Sequence, residues 1–212
     1  MDIAGIRKDY RQRALLEEES DANAIRQFDR WWQEAINSEI EEVNAMTLAT
    51  ADAEGKPSAR IVLLKGYDEN GFVFFTNYKS HKSGDLEVNP QASLVLFWKE
   101  LERQVRITGA VTKVSPAESD AYFSSRPEES QLGALASNQS SNIASRNDLE
   151  ARMEEVRKEW SGKDIPRPAH WGGYRVIPTE IEFWQGRPGR LHDRLWYALR
   201  QDGSWAIERL MP

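Results

Sequence analysis

Cysteine is absent from this 212-residue sequence. That absence removes disulfides, thiolate metal sites, iron–sulfur clusters and cysteine nucleophiles together. Histidine is scarce: His81, His170 and His192 lie far apart and show no metal-ligand spacing. Long apolar runs are missing too; stretches such as Leu94 to Trp98 are far too short to span a membrane. There is no excess of cation. Lys+Arg total 28 against 34 for Asp+Glu, a net charge of −6, which argues against a general nucleic-acid or acidic-membrane binder and still permits a local basic pocket. No apolar segment follows the charged first residues, so no secretory signal is expected and the expected compartment is the cytoplasm. What is present in quantity is tryptophan. Eight indoles need either a core or a flat ligand to pack against.

Residues 1–22 read as a charged N-terminal arm with little apolar surface to order it, and residues 23–212 as one domain. From Asn23 the pattern turns helical, with Ile25, Phe28, Trp32, Ala35, Ile36 and Ile40 on one face and Asp21 or Asn23 as the cap. The period then changes. Met46 to Ala51, Ala59 to Gly66, Phe72 to Thr76, Ala92 to Trp98 and Arg103 to Val114 read as strands, with Asn70-Gly71 as a hairpin signal and a short helix over Ser80 to Val88. Helices are expected from Ser115-Pro116, from Pro127 and over Asn147 to Trp160. Strands return at Gly173 to Ile177, Ile181 to Trp184, Leu191 to Leu199 and Ser204 to Leu210. The connections are too short for parallel crossovers. The expected fold is therefore mainly antiparallel β, one closed barrel with helices inserted in the middle of the chain and not two domains.

Four clusters carry chemistry. In the strand Arg60, Ile61, Val62, Leu63, Leu64, Lys65, a cation opens and closes an apolar run. At that spacing the two ends point to opposite faces, either as snorkelling termini of a buried strand or as ligands of two different anions. Thr76 to Ser83 places hydroxyls, an amide, His81, Lys79 and Lys82 at a helix start, which suits either a phosphate or an ordinary capped loop. Tyr122, Arg126 and Ser130 can converge on a second phosphate or simply end a helix; Gln139-Ser140-Ser141 is weak alone. In the last cluster, strand alternation sets Arg190, His192 and Arg194 on one face just after Trp184. Such a row repels itself unless it meets an anionic or electron-rich ligand. His170 reads as a turn residue beside a packed indole.

Seven stretches in order then resemble the pyridoxine (pyridoxamine) 5′-phosphate oxidase family: Arg60 to Lys65, Leu101 to Val105, Tyr122 to Pro127, Gln139 to Ser141, Trp171 to Gly173, Glu182 to Gly186 and Arg190 to Arg194. The resemblance implies an FMN-binding split β-barrel with flanking α-helices, working as a homodimer with sites at the subunit interface. It implies oxidation of pyridoxine 5′-phosphate or pyridoxamine 5′-phosphate by O₂ to pyridoxal 5′-phosphate and H₂O₂, the amine also releasing ammonia. It places Arg60, Lys82, His81 and Ser140, the last from the partner's loop, at the FMN phosphate. Ile61, Val62, Leu63, Lys65, Phe75 and Thr76 belong to the same cofactor site, and Gln104, Gln139, Trp184 and Arg194 surround the flavin ring. Lys65, Tyr122, Arg126 and Ser130 bind the substrate phosphate, Arg190 and His192 bracket its ring and are the candidates for handling a proton, and Arg7 and Tyr10 belong to a lid. The family usually has arginine where this chain has His81, which implies a weaker, pH-dependent phosphate contact. No metal is implied.

Overall fold

The computed structural model describes residues 3–5 and 9–212. Helix α1 (Ala24–Asn37) begins where the Asn23 side chain accepts the amides of Ile25 and Arg26, so Asn23 rather than Asp21 is its cap. Ala24, Ile25, Gln27, Phe28, Trp31 and Ala35 are its buried residues; Trp31, not Trp32, is the indole driven deepest, and Ile36 stays exposed.

Nine strands follow, every pair antiparallel: β1 (Ala45–Ala51), β2 (Pro57–Leu63), β3 (Gly66–Asp68), β4 (Gly71–Asn77), β5 (Gln91–Trp98), β6 (Arg103–Lys113), β7 (Trp171–Gln185), β8 (Asp193–Leu199) and β9 (Trp205–Arg209). Their order is β2-β1-β5-β6-β7-β4-β3, with β8 and β9 continuing from β7. The two ends of that order are one stretch of chain. The Leu64 amide donates to the Asn44 carbonyl at 2.8 Å and the next amide, Lys65, to the Val73 carbonyl at 2.8 Å. The chain thus leaves β1 for β4 between those two residues and curls the sheet into a barrel, split because β2 and β4 do not pair.

Strand β7 corrects the expectation of two strands at 173–177 and 181–184. It is continuous, because Thr179 is the extra residue of a bulge: Thr108 pairs with Glu180 but Gly109 with Pro178. A bulge accommodates a proline, which has no amide for the ladder. Gly109 is required there, since a Cβ would fall 1.9 Å from the Ile177 carbonyl oxygen. One half of β7 carries β4 and the other carries β8, so this strand joins the barrel to the C-terminal sheet.

Four helices complete the chain: α2 (His81–Val88), α3 (Pro116–Ser125), α4 (Glu128–Ala136) and α5 (Arg146–Trp160). The core packs α1 against the barrel interior through Phe28, Phe72, Leu94, Leu96, Trp98 and Phe183. The described part of the arm is laid down on this body. Leu15 is buried, its amide reaches Asp193, and Arg209 grips both oxygens of Glu17. That hydrogen-bonded pairing with Arg209 pulls the Glu17 carboxyl down to about 2. The buried Leu15 and a few ion pairs help order a segment whose composition alone suggests no order. No helix among the described residues is long and apolar enough to cross a membrane.

Candidate functional site

A cavity of about 540 Å³ opens beside β2, a volume suited to a cofactor-sized ligand. Four consecutive residues of β2, Arg60 to Leu63, line it together with Lys65. Neighbouring strand residues face opposite ways, so a cavity they all touch must run along the strand's free edge. Arg60 and Lys65 therefore reach one cavity despite their opposite-face spacing, because β2 is an edge strand.

Behind the edge, Arg60 is held by the Leu48 carbonyl at 3.2 Å, Thr50 Oγ1 at 2.7 Å and Ser58 Oγ. Thr50 and Ser58 in turn donate to the buried Asp85 at 2.6 and 2.9 Å. Burial works to raise the Asp85 pKa, but these hydrogen bonds and the charges of His81 and Arg60 outweigh it, so the carboxyl stays ionised. Asp85 on α2, which the sequence reading passed over, is the base plate of this cluster; its four-residue spacing from His81 was the available signal.

Lys82, the second residue of α2, is buried. Its Nζ donates to Gln139 Oε1 at 2.6 Å, Thr76 Oγ1 at 3.1 Å and Ser80 Oγ at 3.2 Å. All three are neutral oxygens. Burial, with Arg60 nearby, pushes the lysine down to about 8. Ser140 Oγ accepts the His81 amide of its own chain at 3.2 Å. The His81 ring is exposed, lies 3.6 Å from Asp85 and does not line the cavity.

The rest of the wall is aromatic and cationic. Phe75 stacks on Tyr122 with centroids 4.0 Å apart and on Trp171 at 5.5 Å. The Arg126 guanidinium sits 4.7 Å over Trp171, and Lys65 Nζ lies 6.0 Å from the Tyr122 ring. Arg126 Nη1 is buried without a hydrogen-bond partner, and burial lowers the pKa of its guanidinium. Ser130 lines the cavity beside it. Trp171 is a wall residue that sequence reasoning treated as packing alone. His170, by contrast, only meets the Ala134 carbonyl at 3.4 Å.

The remaining candidates lie elsewhere on the chain. Gln104, Trp184 and Arg194 oppose one another across β6, β7 and β8, forming one row on a sheet face, with Phe97 of β5 at its end. None of them lines the cavity. Strand alternation fails for the last cluster. β8 begins only at Asp193; Pro188 to Arg190 form a 3₁₀ turn, and Arg190 has a φ of 64°. The three do not form the row that alternation gives. Arg194 is clasped by the buried Glu182 through Nε at 2.8 Å and Nη2 at 3.1 Å, which resolves its repulsion. His192 instead packs on Trp184 with centroids 4.6 Å apart, and Arg190 is exposed. Tyr10 from the arm covers both rings, 5.8 Å from Trp184 and 6.0 Å from His192. Arg7 lies outside the described residues.

Comparison with known proteins places these features in a family. Residues 32–159 match the model described as pyridoxamine 5′-phosphate oxidase, and residues 171–212 match the pyridoxine 5′-phosphate oxidase C-terminal dimerisation region. A pyridoxine/pyridoxamine 5′-phosphate oxidase of Trichormus variabilis is 60% identical over 99% of this chain and 98% of its own. One of Ralstonia pickettii is 59% identical over 99% of each. Among solved structures, PhzG from Burkholderia lata 383, in complex with tetrahydrophenazine-1-carboxylic acid, superposes with a TM-score of 0.87 at 31% identity, covering 94% of this chain and 98% of that one. A pyridoxamine 5′-phosphate oxidase-related, FMN-binding protein from Nostoc punctiforme shares the fold, with a TM-score of 0.71 at 19% identity over 90% of this chain and 98% of its own. With the models spanning most of its length and such identity along nearly all of it, the chain belongs to the pyridoxamine 5′-phosphate oxidase family.

Proposed function

We propose that this protein is an FMN-dependent oxidase that converts pyridoxine 5′-phosphate, or pyridoxamine 5′-phosphate, to pyridoxal 5′-phosphate with O₂ as acceptor. The observation that carries the reading is the pair of cation groups in one cavity, Arg60 with Lys82 and Lys65 with Arg126. Each is short of an anion. Lys82 is a buried ammonium bonded only to neutral oxygens, and Arg126 holds a buried N–H with no partner. Buried cations left so are costly in isolation and fit phosphates, which carry about −1.5 to −2 charges each. The substrate and FMN each bring one.

In this reading Arg60, Lys82 and the α2 N-terminus hold the FMN phosphate, while Lys65, Tyr122, Arg126 and Ser130 hold the substrate phosphate. The free edge of β2 offers backbone donors and acceptors to the flavin ring. FMN held there would supply the redox chemistry, a two-electron acceptor for the C4′ oxidation whose electrons end on O₂ as H₂O₂. Oxidation of the amine also consumes water and releases ammonia. The protein contributes register: gripping both phosphates fixes one ring against the other.

Gln104, Trp184, Arg194, Arg190 and His192 do not reach the cavity of their own chain. They serve it if a second copy docks, and the match to a dimerisation region supports a homodimer. Exposed Ile61, Leu63 and Phe97 are apolar surface for such a contact. Tyr10, seated on Trp184 and His192, then belongs to a lid over the substrate ring.

The test is peroxide release by FMN-loaded protein given pyridoxine 5′-phosphate. Peroxide and pyridoxal 5′-phosphate in equal amounts support the assignment. FMN binding with no turnover of either phosphate would replace it with a non-catalytic binder or an oxidoreductase for another substrate.

A further inference from the structure

The backbone N–H of Arg187 donates to His192 Nδ1 at 3.1 Å. A peptide amide can only donate, so Nδ1 is the lone-pair nitrogen and the proton of the neutral ring sits on Nε2. Protonating the ring would set two donors against each other at Nδ1. The surroundings favour the neutral ring too. Burial and the Arg190 cation hold His192 below the usual histidine value, against an opposing pull from Asp193. The rings packed on it, Trp184 and Tyr10, are uncharged indole and phenol.

The loop that presents this amide is itself tied. Asp193 Oδ2 lies 3.4 Å from Arg187 Nε and accepts the Leu15 amide at 3.1 Å, while its Oδ1 takes Arg209 Nη1 at 2.8 Å. Arg187 Nη1 also donates to the Arg13 carbonyl at 3.1 Å. Among the described residues, the charged groups around the imidazole are Arg187, Arg190 and Asp193, with Arg209 behind Asp193 and Asp9 of the arm bonded to the Gly189 amide.

We propose that His192 serves the reaction as a fixed Nε2–H donor and not as a proton acceptor, held in that tautomer by the Arg187 amide, with Asp193 as the positioning residue for the loop. This rests on the reading of His192 as a substrate-ring contact. The donor meets an acceptor atom of the substrate, and the proton that leaves the alcohol or amine is not taken by this nitrogen.

The direct measurement is two-bond proton–nitrogen NMR of the FMN-loaded full chain carrying ¹⁵N-histidine, with His192→Gln to assign the signal. We expect the neutral ring to carry its proton on Nε2 with Nδ1 bare, and to charge only below the pH at which histidine ordinarily does. A proton on Nδ1 of the neutral ring, or a ring that charges at or above the ordinary histidine value, overturns the proposal. Asp193→Asn, or Arg187→Gln should the first not fold, is expected to give a mixed tautomer pattern; an unchanged pattern removes the positioning role. In turnover, His192→Gln keeps a donor and is expected to lose about tenfold less kcat/KM than His192→Leu, roughly one hydrogen bond. Equal losses, with the acid limb of the pH profile gone in both, mark His192 as a base. If the parent turns over neither phosphate, the functional reading fails while the NMR result still decides the tautomer.

Discussion

Arg60 and Lys65 line the same cavity although their spacing along the strand sends them to opposite faces. The edge position of β2 is what reconciles the two facts, and the switch of partners at Leu64 and Lys65 is what makes β2 an edge. The geometry gives one continuous site two kinds of cation: Arg60, braced from below by a carboxylate, and Lys65, set 6.0 Å from the Tyr122 ring.

Arg126→Ala is expected to lower kcat/KM for pyridoxine 5′-phosphate about ten- to a hundredfold. A charge-assisted contact is worth about 1.5 to 3 kcal/mol, and each 1.4 kcal/mol is a factor of ten. FMN content stays full. Because Arg126 Nη1 is buried without a partner, the ligand-free variant should melt no lower than the parent. Steady-state kinetics and thermal melting check both halves, and loss of FMN with normal turnover after its restoration would reverse the assignment.

FMN affinity should fall as pH rises past about 8. Burial holds Lys82 there in the free protein, and an anion gains from this side chain only while it is charged. Below that pH the ammonium is already present. Above it, binding must take up a proton, so the Kd rises by up to about tenfold per pH unit until the pKa of the bound state is reached. Fluorescence titration of apoprotein measures this. Lys82→Ala should bind more weakly at every pH and lose the slope.

Gly186→Ala should disturb the lid without touching the cofactor. A Cβ at that position falls 2.7 Å from Tyr10 Cγ, so the arm has to lift off Trp184 and His192. KM is expected to rise about fivefold, the equivalent of roughly 1 kcal/mol, with FMN retention unchanged. Tyr10→Ala should give a similar rise, and the double variant little more.

Sedimentation of the FMN-loaded protein should show a dimer. The row Gln104, Trp184, Arg194 belongs to a sheet face whose residues do not line the chain's own cavity. A stable monomer that retains FMN with full affinity would mean these residues do not contribute to the cofactor site.

Most strand and helix positions were legible because period and turn chemistry act locally. The Asn70-Gly71 turn between β3 and β4 and the Ser115-Pro116 helix start are two such cases. Failures came where a non-local contact overrode the local rule. The bulge at Thr179 kept β7 whole through a proline, and the 3₁₀ turn at Pro188 broke the alternation that linked Arg190 to Arg194. The candidate cations, in the cavity and outside it, were visible as residue types. Their supports, Asp85 under Arg60 and Glu182 under Arg194, were not, because a buried carboxylate looks in sequence like any solvated one.

Substrate and FMN that share one cavity must exchange electrons without O₂. Anaerobic mixing of the FMN-loaded chain with pyridoxine 5′-phosphate, read in the flavin absorbance, shows whether they do. The oxidised flavin should bleach with one pyridoxal 5′-phosphate formed per FMN, and its absorbance should recover when O₂ is admitted. A flavin that stays oxidised at saturating pyridoxine and pyridoxamine phosphates would mean that the two do not meet in this protein.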